Sequence, residues 1–235
     1  VADLHFAPTA WARDNLLRPA ISNKSYLITG NSVIDALRAV ADKPYDPRDG
    51  PLANTCWDKR LVLVTAHRRE NFGQPLENIC QALKEIAGRH SGDVHIVYPV
   101  HPNPNVQAPV YQMLGDVSNI PLLPPLDYLP LVYLMKRCYL VLTDSGGIQE
   151  EAPSLGKPVL VLRVKTERPE GIEAGTAKVV GTSQTRIVAE TTRLLEDASE
   201  YQRMARAVNP YGDGHTAERI VAHLLSSESI ETSTD

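Results

Sequence analysis

The chain has 235 residues, 43% hydrophobic and 22% charged, enough length and apolar content to bury a full core as one large or two small domains. Its net charge of −4 gives no general attraction for nucleic acid, and no run of Lys and Arg interleaved with aromatics supplies a local one, so no nucleic-acid partner is expected. No apolar stretch reaches the roughly 18 residues that span a bilayer and no basic-then-apolar leader opens the chain, so a cytoplasmic protein without membrane contact is expected.

The sequence opens at Val1 rather than at a methionine, which reads as a fragment or a processed chain. A strand is expected over residues 4–9, a helix over 9–17 with Thr9 as its N-cap, a short strand over 26–29 and a helix over 33–40. Pro44, Pro47, Gly50 and Pro51 give residues 42–59 the composition of a linker. From Arg60 the chain alternates regularly. Strands are predicted over 61–64, 94–98, 120–123, 139–142, 158–162 and 178–180, and helices over 76–87, 106–114, 128–135 and 148–155, followed by helices over 187–195 and 217–225. Short aliphatic strands alternating with helices mean a parallel sheet covered on both faces. Residues 226–235 are Ser, Thr, acids and one Ile, and read as a disordered tail. Cys56, Cys80 and Cys138 are odd in number and lack the paired spacing of a zinc site or disulfide framework, so they are expected to be reduced.

In such a fold ligands collect beyond the carboxyl ends of the strands. The densest motif there is Thr143-Asp144-Ser145-Gly146-Gly147-Ile148-Gln149-Glu150-Glu151. Paired glycines between a strand and a helix put free amides and the helix dipole where a diphosphate can approach, and an acid one turn later can accept from ribose hydroxyls. A Gly-Gly turn with a solvated acidic face is the alternative. The strand ending at residue 64 leads into Thr65-Ala66-His67-Arg68-Arg69-Glu70-Asn71, where an imidazole can move a proton and guanidiniums can stabilise a leaving diphosphate. A solvated turn with a capping histidine remains the competing reading. His101, between prolines and weaker as a candidate, fits a structural loop. Arg168, ahead of Pro169 and a short helix, is the chosen anion binder among Arg163, Lys165 and Arg168. No metal-ligand spacing is present.

These motifs, with Tyr98-Pro99-Val100-His101, Thr166-Glu167-Arg168-Pro169-Glu170 and Asn209-Pro210-Tyr211-Gly212-Asp213-Gly214, follow one another as they do in a known family. From His5 to about Leu225 the chain resembles the non-hydrolysing bacterial UDP-N-acetylglucosamine 2-epimerases. That resemblance implies a GT-B protein with a UDP-sugar between two Rossmann-like domains, this chain carrying the second. The division expected is a remnant of the N-terminal domain and hinge over residues 1–43, a linker over 44–60, the UDP-binding domain over 61–210, a crossing helix over 211–225 and the tail over 226–235. The family's preceding segment of about 140 residues, a domain by size, is absent from the sequence.

The activity implied is interconversion of UDP-GlcNAc and UDP-ManNAc, an isomerase reaction of cell-envelope polysaccharide synthesis. UDP is eliminated to give 2-acetamidoglucal and then re-added, with no metal or redox cofactor. By the same resemblance Ser145, Gly146 and Gly147 hold the phosphates, Glu151 the ribose and Arg168 the diphosphate. Leu126, in the loop 125–127, lies near uracil and His67 is the catalytic candidate. Arg68 and His101 match positions that contact a second UDP-GlcNAc acting as an allosteric activator. UDP-GlcNAc or UDP is the partner, and the full-length protein is expected to be a homodimer. A hydrolysing epimerase, a GT-B glycosyltransferase and a UDP-binding module inactive by itself are the rival readings.

Overall fold

Runs such as Leu61-Val62-Leu63-Val64 present apolar side chains on both sides of a strand, which is stable only where other layers cover both faces. A computed structural model of the chain describes residue 2, residues 4–17 and residues 26–231, the side chains beyond 226 excepted. It divides into two compact units, one of residues 43–208 and one of residues 1–42 with 209–235.

The smaller unit opens with β1 (His5–Ala7), α1 (Ala10–Leu17), β2 (Tyr26–Ile28) and α2 (Ser32–Ala41). β1 and β2 pair in parallel, with Phe6 opposite Leu27. Thr9 Oγ1 accepts the Ala12 N–H at 3.0 Å, the expected cap, and Asn31 Oδ1 caps α2 by accepting from Val33 N at 3.1 Å.

Residues 43–59 form turns without helix or strand, and belong to the larger unit. Tyr45 and Trp57 from this segment meet Tyr133 with ring centroids 5.0 and 5.5 Å away. The larger unit then runs β3 (Arg60–Thr65), α3 (Gln74–Arg89), β4 (Val94–Pro99), α4 (Pro104–Leu114), β5 (Leu122–Leu123), α5 (Tyr128–Arg137), β6 (Leu140–Thr143) and α6 (Gly146–Glu151). It continues with β7 (Val159–Val161), α7 (Pro169–Glu173), β8 (Ala177–Val179), α8 (Gln184–Glu196) and α9 (Ala198–Ala205). The six strands are all parallel, in the order β5-β4-β3-β6-β7-β8. Helices cover both faces, and α3 supplies Leu76, Ile79, Leu83 and Ile86 to a core shared with Val62, Val64, Ile96 and Leu142. The chain steps outward from β3 to β5, returns to the centre, and steps outward from β6 to β8. The β3/β6 seam is therefore where the direction of winding reverses, and a crevice opens beyond the carboxyl ends of these two strands.

Prolines account for two departures from the expected elements. β5 is shorter than 120–123 because Pro121 and Pro124 have no N–H to give the ladder. Tyr98 N–H still donates to Pro121 O and Val100 N–H to Leu123 O. The helix expected over 148–155 starts earlier, at Gly146, and changes to a tighter 3₁₀ turn at Ala152–Leu155, where Pro153 cannot donate to the preceding turn.

The smaller unit is completed by α10 (Thr216–Glu231). Residues 226–231, placed by sequence in a disordered tail, continue this helix, and residues 232–235 lie outside the described residues. The motif at 209–214 packs against the start of α2. Asn31 N–H donates to Tyr211 O at 2.7 Å, Ala217 N–H to Asp35 Oδ1 at 2.8 Å, and Arg219 to Thr29 O at 3.0 Å. Gly30, at φ +90°, has no room for a side chain, since a Cβ there would sit 2.7 Å from Thr216 Oγ1.

Candidate functional site

Register places the site. Thr65 pairs with Thr143 across the seam, their hydroxyls 2.6 Å apart, so the segments following both residues leave the sheet side by side. Thr143 Oγ1 also accepts the Ser145 N–H at 2.9 Å, which fixes the turn into α6.

Asp144, fully buried between the two segments, ties them together. Its Oδ2 accepts from the backbone N–H groups of His67 and Arg68, both at 2.8 Å, and from Asn71 Nδ2 at 3.0 Å. Asn71 also donates to Leu162 O at 3.1 Å, adding the end of β7 to the same frame. Neither residue stood out in the sequence as a site residue. The available signal was an acid one residue beyond the apolar run Leu140-Val141-Leu142, at the end of a strand where only a partnered carboxylate is tolerated.

The helix N-terminus at Gly146 faces cations. A Cβ built on Gly146 would lie 3.6 Å from Nη2 of both Arg68 and Arg168, and 3.0 Å from Glu167 Oε1. These guanidiniums are held from behind. Arg168 pairs with the buried Glu150, Arg68 reaches Glu167 at 3.3 Å, and Arg163 bridges Glu70, at 2.6 Å, and Glu167. Thr166 Oγ1 donates to Gln149 Oε1 at 2.7 Å, while Gln149 Nε2 donates to Ser145 O at 3.1 Å, locking the arginine loop to the glycine turn.

Glu151 is buried one turn into α6, and Tyr128 donates its hydroxyl to Oε2 at 3.1 Å. Burial raises the Glu151 carboxyl above the ordinary carboxylate range, against the tyrosine's hydrogen bond and with a further push from Glu150. His67 and His101 stack with centroids 5.2 Å apart. Burial holds the His67 ring below the ordinary imidazole value; Asp144 works the other way, and His101 and Arg68 add to the lowering.

His67, His101, Ser145 and Leu126, with Ile148 and Leu131, line one cleft of about 220 Å³. His67 and His101 also border a second, of about 450 Å³, with Arg68, Arg69, Phe72 and Asn103. Arg168 stands at the Gly146 edge, Gly147 is exposed beside it, and Glu151 lies further along α6. All nine residues singled out from sequence are therefore in the larger unit, and all belong to segments that leave the carboxyl ends of its strands. Tyr128 and Glu150 are additions, recognisable only once the phase of α6 is known. Among the described residues, no group of three His, Cys, Asp or Glu could hold a metal ion, and no helix is long and apolar enough to cross a membrane.

The sequence model for UDP-N-acetylglucosamine 2-epimerase matches residues 1–225. The chain belongs to the UDP-N-acetylglucosamine 2-epimerase family. It is 56% identical over 232 residues to the UDP-N-acetylglucosamine 2-epimerase of Salmonella typhimurium strain LT2, over 96% of this chain and 61% of that relative. The UDP-GlcNAc 2-epimerase of Neisseria meningitidis, solved with UDP-GlcNAc bound, aligns with TM-score 0.89 at 43% identity, over 95% of this chain and 62% of that one. The epimerase of Methanocaldococcus jannaschii, in complex with UDP-GlcNAc and UDP, aligns with TM-score 0.79 at 31% identity, over 95% and 61%. This epimerase-family chain thus spans about three fifths of the length of these relatives.

Proposed function

We propose that the chain supplies the UDP-binding half of an enzyme that interconverts UDP-GlcNAc and UDP-ManNAc. The observation carrying this reading is the convergence of Arg68 and Arg168 on Gly146 at the β3/β6 seam, where α6 begins. Backbone amides and two guanidiniums aimed at one point suit a diphosphate, and family membership supplies the rest of the molecule. Ser145, Gly146 and Gly147 take the phosphates with Arg168, Glu151 accepts from the ribose hydroxyls, and Leu126 borders the base. In the reaction the sugar C2 loses its proton, the C1–O bond to the diphosphate breaks, and a C1–C2 double bond forms. Re-addition of UDP, with the proton returned to the opposite face of C2, completes the epimerisation. His67 moves a proton to or from the departing diphosphate, with acid–base groups of the N-terminal segment that relatives carry completing the site. The second cleft, with Arg68 and His101, suits a further UDP-sugar acting as an activator. Residues 1–42 with 209–235 form the part that joins to that N-terminal segment.

Calorimetric titration tests the binding half directly. Saturable UDP binding in the micromolar to millimolar range is expected, and no heat up to millimolar UDP overturns the reading.

A further inference from the structure

We propose that Asp144 is a positioning residue that fixes the His67 imidazole with its proton on Nδ1, leaving Nε2 as the free nitrogen for proton transfer. The proposal rests on the reading of His67 as the reacting group. Its basis is how the two carboxylate oxygens are used. Oδ2 is committed to three donors, the His67 and Arg68 backbone N–H groups and the Asn71 amide. Oδ1 is equally buried and has no hydrogen-bond partner, and His67 Nδ1 stands 3.7 Å from it. A buried carboxylate oxygen without a donor is unfavourable, and a small turn of the ring as substrate closes the site would shorten this 3.7 Å contact to a hydrogen bond.

Three other donors nearby are already used. The Tyr98 hydroxyl gives its proton to Ala66 O at 2.8 Å, and the Ser145 N–H goes to Thr143 Oγ1. Asn71 is shared between Oδ2 and Leu162 O. Arg68 Nε is also buried without a partner, but it is His67 Nδ1 that stands 3.7 Å from Oδ1. The same aspartate holds the backbone of His67, so the ring and its acceptor belong to one rigid frame. His101, stacked on the other face, sets the plane of the ring; its own Nδ1 accepts from Asn103 N–H at 3.1 Å. The titratable and charged groups that act on His67 are thus Asp144 beyond β6, His101 beyond β4 and the Arg68 guanidinium beside it.

The three donors at Oδ2 demand an oxygen there. In Asp144→Asn the amide oxygen therefore stays on them and the NH₂ takes the place of Oδ1, offering a donor to Nδ1 and inverting the tautomer. Nitrogen-15 NMR of the histidine-labelled chain reads this, with the His67 signals assigned by loss in His67→Gln. The neutral ring is expected as Nδ1–H in the wild type and Nε2–H in Asp144→Asn, with a lower titration midpoint in the variant. A wild-type ring protonated on Nε2, or an unchanged ring in the variant, overturns the proposal. Should Asp144→Asn fail to fold, the wild-type tautomer decides alone. In the protein extended by its relatives' N-terminal segment, Asp144→Asn should lower kcat about 100-fold with KM nearly unchanged. If the tautomer is as proposed but His67→Ala leaves turnover intact, the role given to His67 fails and the positioning by Asp144 stands.

Discussion

Replacing Glu151 by Gln separates binding from folding at one atom. The carboxylate is buried in α6, Tyr128 occupies Oε2, and Oε1 lies 3.8 Å from where a Cβ on Gly147 would be, on the side of the phosphate turn. A ribose hydroxyl donating to Oε1 makes a hydrogen bond to a charged acceptor, worth about 1.5–3 kcal/mol. Glutamine keeps the shape and loses the charge, so the Kd for UDP should rise about 10- to 150-fold. The free protein should respond in the opposite sense. Because burial raises the carboxyl in the folded state, its contribution to stability is complete below the unfolded carboxylate value and is lost as pH rises through the folded one. The ionised group is thus a cost at neutral pH, and Glu151→Gln should melt no lower than the wild type. UDP affinity should also fall on acidification before ordinary carboxylates titrate, and this component should vanish in the variant, leaving only protonation of the UDP phosphate. Calorimetry across pH with parallel thermal melts makes both measurements. An unchanged Kd in Glu151→Gln would remove the residue from the ribose role, and a sharply lower melting temperature would show that the carboxylate is structural.

Gly146→Ala should fold normally, because the residue is helical, yet its Cβ meets Glu167 Oε1 at 3.0 Å and fills the point on which two arginines converge. UDP affinity should drop about tenfold or more by calorimetry, and wild-type affinity would place the phosphates elsewhere. In the protein extended with its relatives' N-terminal segment, UDP-GlcNAc in heavy water should gain deuterium at C2. His67→Ala should slow that exchange by about 10²-fold while UDP affinity changes little. Leu83→Ala removes a fully buried side chain from the face α3 turns to the sheet, and should cost about 2–5 kcal/mol in denaturant unfolding. A loss under about 1 kcal/mol would mean the helix is not packed as described.

Where side-chain periodicity decides, the sequence was legible. Residues 61–64 and 139–142, and 94–98 apart from His95, are apolar on both faces, and all became inner strands of the parallel sheet. The helix stripe of Leu76, Ile79, Cys80, Leu83 and Ile86 is buried throughout. Strand order was not readable, since any of the six runs could neighbour any other until the connections choose a path. α9 escaped because its face is mostly polar, although Asp197, which accepts from the Ser199 and Glu200 N–H groups, and Glu200 carry the spacing of a helix start. At the site, glycines, arginines and histidines announced themselves by residue type and by their place after strands. Asp144, Asn71 and Tyr128 did not, because their roles depend on which segments the seam brings together. The division of labour between Glu150 and Glu151 likewise follows from helical phase, which sends one to Arg168 and the other to Tyr128.

The discontinuous smaller unit has a consequence for the order of events during synthesis. Residues 43–208 contain every strand of the six-stranded sheet and can complete it as soon as they have left the ribosome. Residues 29–35 by contrast await Tyr211, Ala217 and Arg219, some 180 positions downstream, for the hydrogen bonds that hold them. Residues 29–35 are thus made long before these partners, and a nascent chain stalled near residue 208 would carry a finished six-stranded sheet while residues 29–35 still lacked Tyr211, Ala217 and Arg219, leaving them open to proteases or to a chaperone.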